Sequence, residues 1–209
     1  MLQATDLVCE RGERVLFRGL SLSLEPGELL RVAGSNGRGK TSLLRILCGL
    51  LAPAQGEVRW KGAPIRELRE DYGRELVYVG HAAAVKDDLT AAENLSISCR
   101  LGGARCGRQA VLEALHRFSV PHDVFLKRLS QGQRRRAALA RLLLSDAAPL
   151  WLLDEPFVAL DAAASALVEA LIRAHVASGG MAVYTTHQGA GIQAPAARLL
   201  DLEPEAAIA

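Results

Sequence analysis

The spacing of apolar and polar positions changes several times along the chain. "LSLSL", Leu20–Leu24, alternates strictly, the period of a strand with one face buried. Residues 2–33 around it read as β structure, interrupted by the turn "EPGE" before "LLRVA". After "GSNGRGKTS" the spacing predicts a helix over Lys40–Cys48, closed by Gly49 and kept closed by Pro53. "GEVRWKG" is a short strand ending in a turn, and "LVYV", Leu76–Val79, is a second short, buried strand.

From about Ala84 to Ser145 the pattern becomes helical. Thr90 and Glu93 fit a capping box, as do Ser130 and Gln133 ahead of "RRRAALARLLL"; "QAVLEALHRF" carries apolar residues at helical spacing. Strand character returns in "PLWLLD", followed by a helix over Ala162–Ala177, Gly179-Gly180 and the strand "MAVYTT". Strands and helices that alternate in this order predict an α/β fold with a parallel core sheet. The helical stretch 84–145 is then an insert within a single domain spanning 1–209, and the tail "EPEAAIA" is expected to fray.

Composition narrows the partners. The 209 residues suit one domain with a real core, and half are hydrophobic. With 25 basic and 23 acidic residues, the net charge of +2 argues against nucleic acid as the main partner. Cys9, Cys48, Cys99 and Cys106 form no CxxC pair and no metal-ligand spacing, so free thiols in a reducing compartment are expected, with Cys48 in the core. "MLQATDLVCERGER" lacks the apolar stretch of a signal peptide, and no run approaches the ~20 apolar residues of a bilayer span. A cytoplasmic protein that reaches a membrane only through partners fits these features.

The chemistry concentrates in two places. "GSNGRGKT" matches GxxxxGK[ST] in full, with a strand before it and a helix after. Gly34, Gly37 and Gly39 let the backbone turn tightly, so that the amides of Gly34, Ser35, Asn36, Gly37, Arg38 and Gly39 can face phosphate oxygens at a helix start. Lys40 reaches the β- and γ-phosphates, the Thr41 hydroxyl can ligate Mg²⁺, and Ser42 completes the binding stretch. This predicts binding of a nucleoside triphosphate. Asp154 ends the strand "PLWLLD", where an acid at the carboxyl edge of a parallel sheet can hold Mg²⁺. Glu155 follows and can polarise an attacking water. Alone, the two acids would read equally well as a strand end; beside a phosphate loop they read as catalytic.

The P-loop, "LSQGQ", "WLLDEP", "ALD" and a lone His after "YTT", in this order, resemble the ATP-binding subunits of ABC transporters over almost the whole chain. "LSQGQ" is the discriminating motif; Gln131 replaces the first glycine of the usual form. The resemblance implies ATP as the nucleotide, Mg²⁺ as the metal, an antiparallel β subdomain beside the core sheet, and a homodimer packed head to tail. In such a dimer the loop Leu129, Ser130, Gln131, Gly132 and Gln133 closes on the γ-phosphate held by the partner's P-loop. Asp161 then belongs to the loop coupling the two sites, and His187 is the switch residue at the γ-phosphate. His81 stands where the family has a metal-contacting Gln, and Arg11 where it often stacks an aromatic on the base. Arg134, Arg135 and Arg136 are expected to form mostly a solvated and interface face.

Within that family, "YVGH", "LTAAENL", the GSNG loop and "LSQGQRRRAALARLLLS" are most similar to the ATP-binding subunit of the bacterial heme exporter of cytochrome c maturation. That implies a peripheral subunit on the cytoplasmic face of the inner membrane. It would sit with integral membrane subunits whose work is release of a heme-loaded chaperone. Because the sequence ends soon after His187, no accessory regulatory domain is expected. A soluble ABC-type ATPase acting on DNA or the ribosome would usually carry two cassettes or a long coiled-coil insert, and neither is visible. A switch that binds nucleotide without turnover would not need Glu155 and His187.

Overall fold

The computed structural model describes residues 1–12, 14–103, 106–145, 147–186 and 191–203. In chain order the strands are β1 (Leu2–Arg11), β2 (Arg14–Leu24), β3 (Leu29–Ala33), β4 (Gln55–Trp60), β5 (Ala63–Pro64), β6 (Leu76–Val79), β7 (Leu150–Leu153), β8 (Met181–Thr185) and β9 (Ala197–Asp201). The helices are α1 (Lys40–Leu47), α2 (Ile65–Arg74), α3 (Ala91–Leu101), α4 (Arg108–Arg117), α5 (Gln131–Leu139) and α6 (Ala162–Ala177). Short 3₁₀ turns cover Leu126–Arg128 and Ala140–Leu144.

The strands form two sheets. One is antiparallel, in the order β2-β1-β4-β5; the other is parallel, in the order β6-β7-β8-β3-β9. Helix α1 buries Leu43, Leu44, Ile46 and Leu47 between them. The parallel strands show why their sequences read as unbroken apolar runs. Leu150 and Leu152 of β7 face α1, whereas Trp151 and Leu153 face the helices on the opposite side, so both faces are dry. Helices α3, α4 and α5 lie between β6 and β7 in the chain, and both expected capping boxes are closed. The amide of Glu93 donates to Thr90 Oγ1 at 3.2 Å and that of Thr90 to Glu93 Oε2 at 2.8 Å; Ser130 and Gln133 repeat this reciprocal pair.

Four elements differ from the sequence expectation. Helix α1 ends one residue early, with Cys48 as its cap; Cys48 is half-buried rather than a core residue. The helix after Ser130 tightens to a 3₁₀ turn from Ala140. Helix α2 was not expected. Ile65, Leu68 and Tyr72 recur at helical spacing and pack on the core, but the stretch is short, mostly polar and broken by the non-helical Arg69 (φ 43°, ψ −112°), so it does not stand out as a helix. Strand β9 is an edge strand, mostly exposed, whose five residues lack an alternating pattern. Among the described residues, no helix is long and apolar enough to cross a membrane.

Candidate nucleotide-binding site

The order of the parallel sheet puts the carboxyl ends of β3, β8, β7 and β6 side by side, where open α/β sheets bind ligands. The loop after β3 needs its glycines. Gly34, Gly37 and Gly39 have φ of 131°, 80° and 94°, a region closed to ordinary side chains. A Cβ on Gly39 would also sit 3.1 Å from the Leu16 Cβ and 3.2 Å from the Phe17 ring of β2. Gly39 is the N-cap of α1 and supplies no side-chain cap, and the first turn contains no acid. The helix start is therefore suited to an anion. Lys40 is 6% exposed and its Nζ donates to the carbonyls of Gly34 (2.6 Å) and Ser35 (3.1 Å), which holds the ammonium over the loop. Thr41 is half-buried in the same turn, whereas the Ser42 hydroxyl meets the Cys9 thiol of β1.

Glu203, beyond β9, also reaches this loop. Its Oε1 accepts from the Ser35 amide at 2.5 Å and its Oε2 pairs with Arg38 at 3.1 Å. The Ser35 hydrogen bonds, and then the Arg38 charge, hold the Glu203 carboxyl below the usual carboxylate range.

Asp154 and Glu155 follow β7. Asp154 is fully buried; its Oδ1 accepts from the Thr185 hydroxyl at 2.9 Å, and its buried Oδ2 has no hydrogen-bond partner among the described residues. A buried carboxylate oxygen left in this way suits a hard cation such as Mg²⁺. Glu155 takes a left-handed backbone, φ 52°, and its amide donates to Thr185 Oγ1 at 2.8 Å.

The three arginines of α5 do not form a solvated face. Arg135 is 5% exposed and points under the strand ends, where it donates to the carbonyls of Gly80 (2.6 Å), His81 (3.3 Å), Asp154 (2.8 Å) and Glu155 (2.8 Å). Burial lowers its pKa, against the opposing charges of Asp154 and Glu155. Arg134 pairs with Asp87 and Arg136 with Asp161, each at 3.0 Å. Because α5 lies across the ends of β6 and β7, one of three consecutive side chains has to face inward.

At the start of α5, Leu129 is buried while Ser130 and Gln131 are exposed. Gly132 is forced by contact, since a Cβ there would sit 2.9 Å from the Ala159 carbonyl. The Ser130 hydroxyl accepts from the Gln133 amide. Asp161 N-caps α6, accepting from the Ala164 amide at 2.8 Å, and its other oxygen meets Arg136. His81 is exposed, and only its carbonyl is engaged in the Arg135 cluster. Arg11 is exposed at the tip of the β1–β2 hairpin, opposite Arg14. The Arg14 guanidinium lies 4.0 Å from where a Cβ on Gly37 would stand, so this second hairpin arginine, not singled out in the sequence, is at the P-loop. His187 lies outside the described residues. Thr185, Arg135 and Glu203 were also missed. Only Thr185 left a signal, as a polar residue ending the apolar run "MAVY".

Comparison with known proteins agrees with this geometry. Residues 17–158 match the ABC transporter family. The chain is 51% identical to the cytochrome c biogenesis ATP-binding export protein CcmA of Aromatoleum aromaticum, covering 99% of this chain and 97% of that protein. It is likewise 51% identical to the protein of that name from Nitrosospira multiformis, over 96% and 98% of the two chains. Among solved structures, an ABC transporter ATP-binding protein from Pyrococcus furiosus superposes with a TM-score of 0.81 at 25% identity, over 96% of each chain. A dimeric ATP-binding cassette in a post-hydrolysis state, bound to ADP and Pi, gives 0.79 at 26% identity over 90% of this chain and 88% of that one. With a phosphate loop, buried carboxylates and a capped "LSQGQ" helix on one scaffold, this chain belongs to the ABC transporter ATP-binding proteins, in the group of the cytochrome c biogenesis ATP-binding export proteins.

Proposed function

We propose that the chain is the ATP-binding and hydrolysing subunit of a membrane export complex in cytochrome c maturation, working as a homodimer on the cytoplasmic face of the bacterial inner membrane. It reaches the membrane through integral subunits, and its ATP cycle powers heme export, the release of a heme-loaded chaperone. The observation that carries the ATPase reading is the shared sheet edge: an anion-receptive start of α1 beside a fully buried Asp154 whose Oδ2 has no hydrogen-bond partner among the described residues. The naming of the relatives as cytochrome c biogenesis export proteins supports the rest.

In this reading Gly34 to Thr41 bind the triphosphate through main-chain amides, and Lys40 leaves its carbonyl partners for the β- and γ-phosphates. Asp154, through Oδ2, and the Thr41 hydroxyl would hold Mg²⁺, and His81, in the loop after β6, would contribute a further ligand. When bound, the metal would offset the charge of the transferring phosphoryl group. Glu155 polarises the attacking water, and His187 contacts the γ-phosphate. The loop Leu129–Gln133 of the partner copy closes over that phosphate, with Asp161 at the dimer-coupling loop. Arg11 and Arg14 flank the entry for the base.

The test is Glu155→Gln in the full chain. ATP binding should persist while hydrolysis falls by about 100-fold or more, as for loss of a positioned general base. ATP should also trap a dimer detectable by light scattering. Near wild-type turnover would remove Glu155 from its role. Capture of the same tagged chain from detergent-solubilised membranes should bring integral subunits of an export complex; none co-purifying would overturn the membrane reading.

A further inference from the structure

Arg135 is an unusual use of a buried cation. A charged side chain at 5% exposure is normally matched to a carboxylate. Here all four hydrogen-bond acceptors of the guanidinium are main-chain carbonyls. Nη1 takes Gly80 and His81 at the end of β6, and Nη2 takes Asp154 and Glu155 at the end of β7. The planar fork is what lets one side chain serve both strand ends, which a lysine ammonium cannot do in the same geometry.

One of those carbonyls belongs to Glu155, a non-glycine residue with a left-handed backbone. Glu155 has φ 52°, where a residue with a Cβ is strained and stays only if its surroundings hold it. Its amide is held by Thr185 Oγ1 and its carbonyl by Arg135 Nη2, each at 2.8 Å, and the carbonyl accepts more weakly from the Val158 amide at 3.2 Å. Thr185 in turn donates to Asp154. Both sides of the Glu155 backbone are thus tied, one from β8 and one from α5.

We propose that Arg135 is a positioning residue for ATP hydrolysis: its guanidinium ties the ends of β6 and β7 and keeps Glu155 in the left-handed conformation that aims its carboxylate. This rests on the reading of Glu155 as the residue that polarises water. Its Nη1 and Nη2 are taken up by main-chain carbonyls, so it acts through Glu155 rather than on the nucleotide.

The experiment compares Arg135→Lys, Arg135→Gln, Glu155→Gln and the double variant Arg135→Lys/Glu155→Gln in the full chain. Steady-state and single-turnover ATP hydrolysis, ATP affinity and thermal melting are read for each. In Arg135→Lys, kcat should fall about tenfold or more while ATP affinity stays within about threefold, the signature of an interaction lost in the transition state. In the Glu155→Gln background the same substitution should cost less than about twofold, because residues that act as one unit are not additive. A folded Arg135→Lys with kcat within about twofold of wild type overturns the proposal. So does an equal loss in both backgrounds, or a fall in ATP affinity that matches the fall in kcat. If Arg135→Lys does not fold, Arg135→Gln carries the same comparison; if neither folds, the arginine is structural and the proposal is overturned. Wild-type turnover in Glu155→Gln would instead sink the underlying reading, whatever Arg135 does.

Discussion

Glu203 illustrates how much a single side chain can hide from the sequence. It lies 168 residues from Ser35, yet its carboxylate takes the Ser35 amide and the Arg38 guanidinium at the mouth of the phosphate loop. No periodicity connects such positions, and Arg135 was concealed differently, since three consecutive arginines look alike until a helix is set against a sheet. Lys40, Thr41 and Asp154 were legible because fixed chain spacing alone puts them at a strand or helix end. Glu203 also makes a prediction. It adds a negative charge beside a site for an anion, so Glu203→Gln keeps the hydrogen-bond acceptor for Ser35 and removes only the charge. ATP affinity should rise about two- to threefold at low ionic strength, and the gain should fade above about 0.5 M salt as screening sets in. Titration calorimetry at two salt concentrations checks it; weaker binding would mean that the charge orders the loop. Because the folded carboxyl has a lowered pKa, the contact is fully present above the unfolded carboxylate pKa. It is lost as pH falls through the folded value, so the two chains should converge in acid.

At the scale of elements, what was readable is what has a strong period or a cap. The helix over Ala162–Ala177, both capping boxes and the apolar strands were all set by local chemistry. Helix α2 and strand β9 were not, because one is short, mostly polar and broken at Arg69, and the other is a largely exposed edge whose apolar residues do not alternate. The antiparallel sheet contains a tighter constraint than its sequence suggests. Gly56, the second residue of β4, has φ 84°, and a Cβ there would stand 2.3 Å from the Thr5 carbonyl and 2.5 Å from that of Asp6, at the irregular pairing of β1 with β4. Backbone atoms cannot rotate aside as a side-chain tip can. Gly56→Ala should therefore destabilise the chain by about 2–4 kcal/mol, combining overpacking with an unfavourable φ. Urea denaturation should show a lower midpoint. Gly62→Ala, also at positive φ but with open space around it, should lose less, about 1 kcal/mol. Equal losses in the two would refute the steric account.

At the scale of the whole molecule, the chain holds pieces that its own site does not use. Ser130 and Gln131 are exposed at the start of α5, whose arginines face the chain's own strand ends and ion-pair partners. In the head-to-tail dimer proposed above, Ser130 would act against the phosphate held by the other copy. The Ser130 hydroxyl already accepts from the Gln133 amide, which leaves its proton free to donate. Substitution by Asp separates the two roles. Aspartate is as good an N-cap as serine, so α5 and the melting temperature should be unchanged. Its charge, however, would face the γ-phosphate of the partner site and repel it. Ser130→Asp should bind ATP as a monomer, fail to form the ATP-dependent dimer and lose hydrolysis. Lys40→Ala should lose hydrolysis for the opposite reason, at its own P-loop. In a mixed dimer one composite site carries both lesions and the other is intact. Equimolar mixing of two inactive chains should thus restore activity, up to about a quarter of wild type if assortment is random and each site works alone. Normal hydrolysis by Ser130→Asp on its own would mean that no site is shared between copies.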